Sequence, residues 1–160
     1  MRWGEFEVAA PEPASFFRAR LTATGLLLLG TLRSDGWPRI SPCEAYLAGG
    51  ELLLGMMPGS TKVRDLNRDS RITVATPQPD RSSGVGDLKL YGRGFAVEDP
   101  GLRRALADAQ EQAIDWRPPD DIPIFKVDIL TAGFISFGEG KRLLRWRAGS
   151  AVEELPHPED

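Results

Sequence analysis

A chain of 160 residues has the length of a single domain, and its hydrophobic and charged fractions, 41% and 27%, are ordinary for a globular protein. Its formal net charge of −3 at pH 7 argues against a nucleic-acid binder held by bulk charge. The longest aliphatic run, "LLLL" at residues 26–29, is too short to cross a bilayer, so we expect no membrane partner. The single cysteine, Cys43, excludes an intrachain disulfide framework and favours a cytoplasmic location.

The predicted elements begin with a helix in "PEPASFFRARLTATG", which Gly25 ends. Three strands follow in "GLLLLGTLRSDGWPRISPCEAYLAGGELLLGMM", separated by "SDG" and "AGG", which are typical hairpin turns. The unbroken apolar runs in the first and third strands indicate burial on both faces or closure into a barrel. The later predicted elements are a short polar helix from Ser60, a strand at 71–77, a long strand at 87–99 with a bend at glycine, an amphipathic helix from Pro100, one or two strands within 124–137 and a short strand at 141–147.

This pattern predicts a mainly β fold with peripheral α-helices. Six to eight strands, antiparallel wherever the turns are short, and two or three helices are typical of a small closed or split antiparallel β-barrel. We expect one domain over residues 1–148. The remaining segment, 149–160, is acidic and contains proline, and we predict a flexible tail there.

The short polar helix in "GMMPGSTKVRDLNRDSRITV" has an unusual composition, because only Val63 and Leu66 are apolar. Its first turn holds Ser60, Thr61 and Lys62, which are two hydroxyls and a cation. A helix N-terminus offers free backbone N–H groups and the positive end of a dipole, so phosphate binds there readily. Taken alone, an ordinary N-cap followed by a solvated lysine is the simpler interpretation.

A second cation precedes this helix in "GWPRISPCEAY", where Arg39 begins a strand just after a turn. Pairing of that strand with the next one through "AGG" would bring Arg39 near Met57 and the start of the helix. Arg39 and Lys62 could then converge on one dianion. An arginine at a strand end is common by itself, so the hypothesis depends on the two cations together.

These motifs, together with the strand "DLKLYGRG", resemble the pyridoxamine 5′-phosphate oxidase-like, FMN-binding split-barrel family over residues 25–99. The resemblance implies a homodimer with two flavin sites at the subunit interface. It implies that the phosphate of FMN is held by Arg39, Ser60, Thr61 and Lys62. It also implies that the isoalloxazine ring lies along Ile40, Ser41, Pro42, Met56 and Met57, and that Asp87 or Lys89 falls near the position of a family glutamine.

Two departures from the family pattern bear on the substrate. Thr61 stands where the true oxidases have an arginine before the lysine, so one phosphate contact is lost or passes to Arg64. The true oxidases also carry Arg-x-His near the C-terminus, whereas the single histidine here, His157, lies in the acidic segment. We therefore expect that pyridoxine and pyridoxamine phosphates are not substrates. The scarcity of histidine also disfavours haem handling with a histidine axial ligand.

The predicted function is thus that of an FMN-dependent oxidoreductase acting on a small molecule by hydride transfer at the flavin. One alternative is a reductase that uses a deazaflavin coenzyme, whose anionic tail would need further cations. The candidates for those cations are Arg64, Arg68, Lys89 and Arg93. The other alternative is a non-catalytic flavin-binding protein.

A few further residues stand out, although each has a simple structural explanation. Glu44 could meet a substrate if its strand face points towards the ligand, although a solvent-facing carboxylate is the simpler interpretation. No Cys/His metal cluster is present, and we predict no metal site. We predict contacts with the partner subunit at Trp37, Tyr46, Met57 and Trp146.

Overall fold

The computed structural model describes residues 1–78 and 84–160. Its strands are β1 Leu26–Leu32, β2 Pro38–Ala48, β3 Glu51–Gly55, β4 Arg71–Ala75, β5 Asp87–Ala96, β6 Ile124–Ile135, β7 Leu143–Arg147 and β8 Glu153–Leu155. Its helices are α1 Trp3–Ala9, α2 Pro11–Thr24, α3 Thr61–Arg68 and α4 Pro100–Ile114. Residues 79–83 of the predicted polar loop lie outside the described residues.

The strands form one antiparallel sheet in the order β3-β2-β1-β4-β5-β6-β7-β8. An additional pairing of β3 with β6 closes the first six of these strands into a barrel. The predicted fold class, a small antiparallel β-barrel with peripheral helices, is therefore confirmed. In the described residues, no helix has the length and apolar character needed to cross a membrane.

A helix near the N-terminus was not predicted, because α1 is too short to be favoured by local sequence. It is stabilised by tertiary packing, since Trp3 and Phe6 are both buried against the barrel. The ring centroids of Phe6 and Trp146 lie 4.9 Å apart in an edge-to-face contact. The described residues thus contain four helices rather than two or three.

The C-terminal segment differs from the flexible tail predicted over 149–160, because β8 extends the sheet there by pairing with β7. Its acidic residues pair with Arg142, which directly precedes β7, and with Arg145 of β7. Arg142 Nη2 lies 2.9 Å from Glu154 Oε2, and Arg145 Nη2 lies 2.8 Å from Glu153 Oε2. His157, just beyond β8, is buried. The acidic composition of this segment suggests exposure to solvent, but its glutamates instead form ion pairs with neighbouring arginines.

The long strand β5 pairs irregularly with β6 at the predicted glycine position. Its register with β6 shifts between Tyr91 and Gly92, which is a β-bulge. A Cβ atom at Gly92 would lie 2.0 Å from the Asp128 carbonyl oxygen, so only glycine permits this approach of the two strands.

The alternation of β1 and β2 determines which residues face outward. In β1, Leu27 and Leu29 are buried, whereas Leu28 is exposed. Gly30 pairs with Ile40 of β2 on one side and with Thr73 of β4 on the other. The outer surface of the barrel at these strands is therefore apolar, and it forms the floor of a groove.

Candidate functional site

Strand β2 and helix α3 are joined by two side-chain contacts that run in opposite directions. Arg39 of β2 donates from Nε to Asp65 Oδ2 of α3 over 2.7 Å. Lys62 of α3 donates from Nζ to the carbonyl oxygen of Pro42 in β2 over 2.9 Å. Both cations that the sequence singled out therefore lie at this β2–α3 junction.

Asp65 is the buried centre of the junction, with only 5% of its side chain exposed. Its carboxylate also accepts a hydrogen bond from Thr31 Oγ1 at 3.0 Å and lies 3.4 Å from Arg68 Nη2. Burial alone would raise the pKa of Asp65, but the hydrogen bonds from Arg39 and Thr31 outweigh it and lower the pKa below its usual value. Asp65 is therefore ionised and anchors Arg39.

The anchor leaves part of the Arg39 guanidinium available for a ligand. Only Nε is used, and no hydrogen bond joins its Nη atoms to the residues that the structure describes. Lys62 likewise uses one of its three donors, to Pro42. The contact with Asp65 thus holds the arginine in place while its outer donors stay free to bind an anion.

The N-terminus of α3 adds further donors beside Lys62. Ser60 occupies the N-cap position but makes no capping bond with its side chain. Its Oγ is buried and has no hydrogen-bond partner among the described residues. The first N–H groups of any helix lack acceptors within the helix, so the hydroxyl of exposed Thr61 stands beside free backbone donors. This end of α3 therefore has hydrogen-bond donors that can bind an acceptor on a ligand.

A groove of about 750 Å³ runs over the outer surface of the barrel beside Arg39. Ile40 is 74% exposed at its edge, and Leu28, Tyr91 and Leu130 contribute further apolar surface. Lys89 of β5 also lines the groove and forms an ion pair with Asp87. Arg39, Ile40 and Lys89 therefore share this surface, whereas Asp87 reaches it only through Lys89.

A second cavity, of about 540 Å³, lies on the other side of the junction between β2, the end of β3 and α4. Pro42, Met56, Met57 and Lys62 line it. The predicted flavin-site residues are thus divided between the groove and the cavity. Those that line neither are Ser41, Ser60, Thr61 and Asp87.

The sequence did not single out Gln110, which also lines the cavity. Gln110 lies on α4, one turn beyond the buried Leu106, and it is only 3% exposed. Its Nε2 donates to Glu44 Oε2 over 2.9 Å. The sequence did contain a signal for Gln110: it follows Leu106 by four residues and therefore lies on the apolar face of an amphipathic helix, where a polar residue is unusual.

The residues predicted to face a partner subunit are not equally exposed. Trp37 and Met57 are 69% and 74% exposed, so both are accessible. Trp146 is 1% exposed, and its prediction is wrong because β7 turns this side chain inward against α1. Tyr46 is half-buried and packs against a small cluster beside α4.

Cys43 is buried between the core and the cavity. Burial raises the pKa of its thiol to about 11, despite the opposing charge of Lys62. Nearby, burial and the Glu44 carboxylate raise the pKa of Tyr46 to about 12. Both groups therefore stay protonated at neutral pH, and Cys43 behaves as a small apolar residue rather than a nucleophile.

The family model described as pyridoxamine 5′-phosphate oxidase matches residues 15–135. The chain belongs to this family. The resemblance that the motifs around Arg39 and Lys62 indicated is thereby confirmed. No curated protein matches the sequence significantly.

Several solved structures share the fold of this family member at low sequence identity. The heme binding protein from Mycobacterium smegmatis aligns with a TM-score of 0.64 and 23% identity, over 83% of this chain and 57% of that one. ChuZ from Campylobacter jejuni aligns with a TM-score of 0.73 and 12% identity, over 91% of this chain and 63% of that one. This chain thus spans less than two thirds of either protein.

PhzG from Burkholderia lata 383, solved in complex with tetrahydrophenazine-1-carboxylic acid, aligns over most of both chains. Its TM-score is 0.63 at 15% identity, with 94% of this chain and 90% of that chain covered. At such identities the likeness establishes the barrel fold and nothing finer.

Proposed function

We propose that this protein binds FMN and acts as a flavin-dependent oxidoreductase of the pyridoxamine 5′-phosphate oxidase-like type. The observation that carries the proposal is the β2–α3 junction, where Arg39 and Lys62 keep free donors beside the unpartnered Ser60 hydroxyl. A guanidinium, an ammonium, hydroxyls and helix N–H groups form a donor set that suits a phosphate monoester. Membership of the family supports the same ligand.

In this proposal Arg39, Ser60, Thr61 and Lys62 hold the phosphate of FMN. Arg64, which is exposed one turn along α3, can supply the contact that arginine makes in the true oxidases at the position of Thr61. The ring lies along β2 at Ile40, Ser41 and Pro42. It is also flanked by Met56 and Met57, which follow β3.

The bound flavin supplies the redox chemistry by accepting or giving a hydride at N5. The residues of this chain bind it, orient it and exclude water. Pro42 and Ile40 present apolar outward faces on neighbouring positions of the same strand face, and Ser41 between them pairs with Leu29 of β1. A rigid, paired strand suits this role because it fixes the position of a flat ring without a mobile loop.

The proposal includes a two-fold homodimer, with each flavin contacted by both subunits. Its support is the groove on the outer surface of the barrel, where Ile40, Leu28 and Tyr91 leave apolar side chains exposed. The inside of the barrel is filled by its own core, so a ring on the outer surface would be deeply buried only if a second surface covered it. Two-fold association of identical chains is the commonest source of such a surface.

The structural relatives make haem a second candidate, since one of them is described as a heme binding protein. The single histidine argues against histidine ligation here. His157 is buried, with Nε2 2.9 Å from the Ser136 carbonyl oxygen, and Nδ1 accepts a hydrogen bond from the Glu159 N–H. Neither ring nitrogen is free to bind iron without breaking these contacts.

A deazaflavin coenzyme fits the site less well than FMN, because most of the cations that would hold its anionic tail already have partners. Arg68 bonds the Leu32 carbonyl oxygen and lies beside Asp65, Lys89 pairs with Asp87, and Arg93 Nη1 donates to Ser70 Oγ over 3.0 Å. Three of the four candidate arginines and lysines are thus already engaged within the described part of the chain. The non-catalytic alternative shares the binding site and differs only in turnover.

The test is to purify the protein, record its visible spectrum, and identify any copurified small molecule by mass spectrometry. The absorption maxima of FMN differ from those of a deazaflavin and from those of haem, so the spectrum distinguishes the three cofactors. The stripped protein is then titrated with FMN and riboflavin, which lacks the phosphate. Preference for riboflavin, or no binding of either, would contradict the proposal. Turnover of bound flavin with a nicotinamide donor distinguishes an enzyme from a storage protein.

A further inference from the structure

The cavity between β2, β3 and α4 has a polar corner within apolar walls. Met56, Met57 and Trp116 provide apolar and aromatic surface, and Trp116 is half exposed. Glu44 and Gln110 form the polar corner, because Gln110 Nε2 donates to Glu44 Oε2 over 2.9 Å. This arrangement of apolar walls and a few fixed polar groups is typical of small-molecule sites.

Glu44 is exposed, as the simpler interpretation of its place on the strand predicts, and its carboxylate is held in position without being neutralised. Its hydrogen-bond donor, Gln110, is a neutral amide that is 3% exposed, so it holds the carboxylate from within the protein. No ion pair to Glu44 is found within the described residues. A carboxylate has about four lone-pair sites, and the bond from Gln110 uses one of them. Glu44 can therefore accept further bonds from a ligand in the cavity.

Gln110 contributes a second acceptor. Its Oε1 is buried and lacks a hydrogen-bond partner among the described residues. Buried amide oxygens are nearly always satisfied, so an unpaired one in the wall of a cavity indicates a missing donor. The donor could be an N–H group of a bound ligand that also contacts Glu44.

The charge of the cavity depends on what Lys62 binds. Lys62 is the cation among its described lining residues, but its Nζ donates to the Pro42 carbonyl oxygen and forms no ion pair with Glu44. If Lys62 held a phosphate, the negative charge of Glu44 would have no counter-charge in the cavity. The indole face of Trp116 likewise favours a positive group. Both effects select cations over anions.

We propose that this cavity binds a small organic cation, an ammonium or amidinium group on an aromatic body, through Glu44 and Gln110. The inference rests on the proposed function, because it identifies this organic cation as the substrate class of the flavin-dependent reaction. Pro42, Met56 and Met57 line the cavity and also belong to the proposed ring site, so the ligand would lie next to the flavin. Gln110 is a positioning residue that holds Glu44 in place.

The test uses benzamidinium as the probe and benzamide as its neutral counterpart of the same shape. Their affinities are measured by calorimetry for the full chain, with and without saturating FMN. We expect benzamidinium to bind at least about tenfold more tightly than benzamide, because a charge-assisted hydrogen bond is worth that much or more. Glu44→Gln should abolish the preference and leave benzamide binding and FMN affinity as they are.

Two further variants complete the experiment. Glu98→Gln removes an exposed carboxylate outside the cavity and should leave the preference intact. Lys62→Gln should raise benzamidinium affinity in the FMN-free protein, since it removes the opposing charge. Equal affinity for the two probes, or an unchanged preference in Glu44→Gln, would overturn the inference. Failure of the parent protein to bind FMN would contradict the proposed function instead, because the probe measurements without FMN do not depend on it.

Discussion

Arg39 of β2 and Asp65 of α3 form a hydrogen-bonded ion pair, with Nε of Arg39 2.7 Å from Oδ2 of Asp65. The two side chains differ in their surroundings. Asp65 is buried, whereas the outer nitrogens of Arg39 have no hydrogen-bond partner in the described part of the chain. A buried carboxylate thus sets the position of a cation whose remaining donors can bind a ligand. In the proposed function, Asp65 would therefore matter for phosphate binding without contacting the phosphate.

Replacing Asp65 should therefore affect both stability and ligand affinity. We expect Asp65→Asn to lower the free energy of unfolding by about 1.5–3 kcal/mol, the range for hydrogen bonds to charged groups. It should also weaken FMN binding, because Arg39 loses its anchor. Since folding lowers the pKa of Asp65, its contribution is present above the unfolded pKa and is lost as pH falls through the folded pKa.

Urea denaturation at several pH values and FMN titration check this prediction. The difference in stability between the parent and the variant should shrink as the medium becomes more acidic than the unfolded pKa of aspartate. Asp108→Asn serves as the control, because Asp108 pairs with Arg117 at the exposed surface of α4. Parent-like FMN affinity in Asp65→Asn would show that Arg39 needs no anchor.

Lys62→Ala should weaken FMN binding by about 1.5–3 kcal/mol while the fold is retained, since Lys62 bonds only the Pro42 carbonyl within the described residues. Fluorescence titration measures the effect. Riboflavin should bind the parent and the variant equally, because it lacks the phosphate. Lys126→Ala, at a lysine of β6 outside both predicted flavin surfaces, is the matched control. An equal loss for riboflavin and FMN would contradict a role of Lys62 at the phosphate.

Pyridoxine and pyridoxamine phosphates should not be turned over at a significant rate. The reasons are Thr61 in place of an arginine and the absence of Arg-x-His from the sequence. Moreover, two arginines in and beside β7 are already paired, since Arg142 and Arg145 contact Glu154 and Glu153. The measurement is pyridoxal phosphate formation by the FMN-loaded protein. Turnover in the usual enzymic range of ~1–1000 per second would refute the prediction.

Ile40→Glu should weaken homodimer formation and FMN binding together, because Ile40 is exposed at the edge of the groove and lies on the proposed ring site. A desolvated charge in an apolar interface is strongly unfavourable. Sedimentation at low concentration measures the mass, and titration measures the affinity. Val8→Glu is the control at an exposed apolar residue of α1, outside the groove. A parent protein that binds FMN stoichiometrically as a monomer would exclude a shared site.

Cys43 should make stability fall in mildly alkaline solution. Because folding raises the pKa of its thiol to about 11, from 9.0, the folded state keeps a proton that the unfolded state releases. The contribution is fully present below pH 9 and is lost as pH rises towards 11. A shift of about two units corresponds to about 2–3 kcal/mol.

Comparison of the parent with Cys43→Ala isolates this effect from other alkaline titrations. We expect the unfolding free energy of the parent to decline more steeply between pH 9 and 11 than that of the variant. Below pH 9 the two curves should run parallel, offset by the packing lost at this buried site. Parallel curves over the whole range would mean that Cys43 ionises in the folded state as it does in solution.

Local sequence was sufficient to predict much of the barrel. The hairpin turns "SDG" and "AGG" join β1 to β2 and β2 to β3 at the predicted positions, because turn residues act through their own backbone preferences. Strand β5 and helix α4 likewise follow their hydrophobic periodicity. The two cations Arg39 and Lys62 could also be singled out, because their residue types and their places next to structural boundaries are visible locally.

Tertiary structure determined what those residues contact. Helix α1 depends on the packing of Phe6 against Trp146, which lies far away in the sequence. Strand β8 depends on its pairing with β7 and on the ion pairs of its glutamates with Arg142 and Arg145. The burial of Asp65 beneath Arg39 and the bond from Gln110 to Glu44 join residues 26 and 66 positions apart. Periodicity predicts which face of an element is apolar, but only the packing of α3 and α4 against the barrel decides which polar side chains meet. The anchored arginine and the unneutralised carboxylate both arise from that packing.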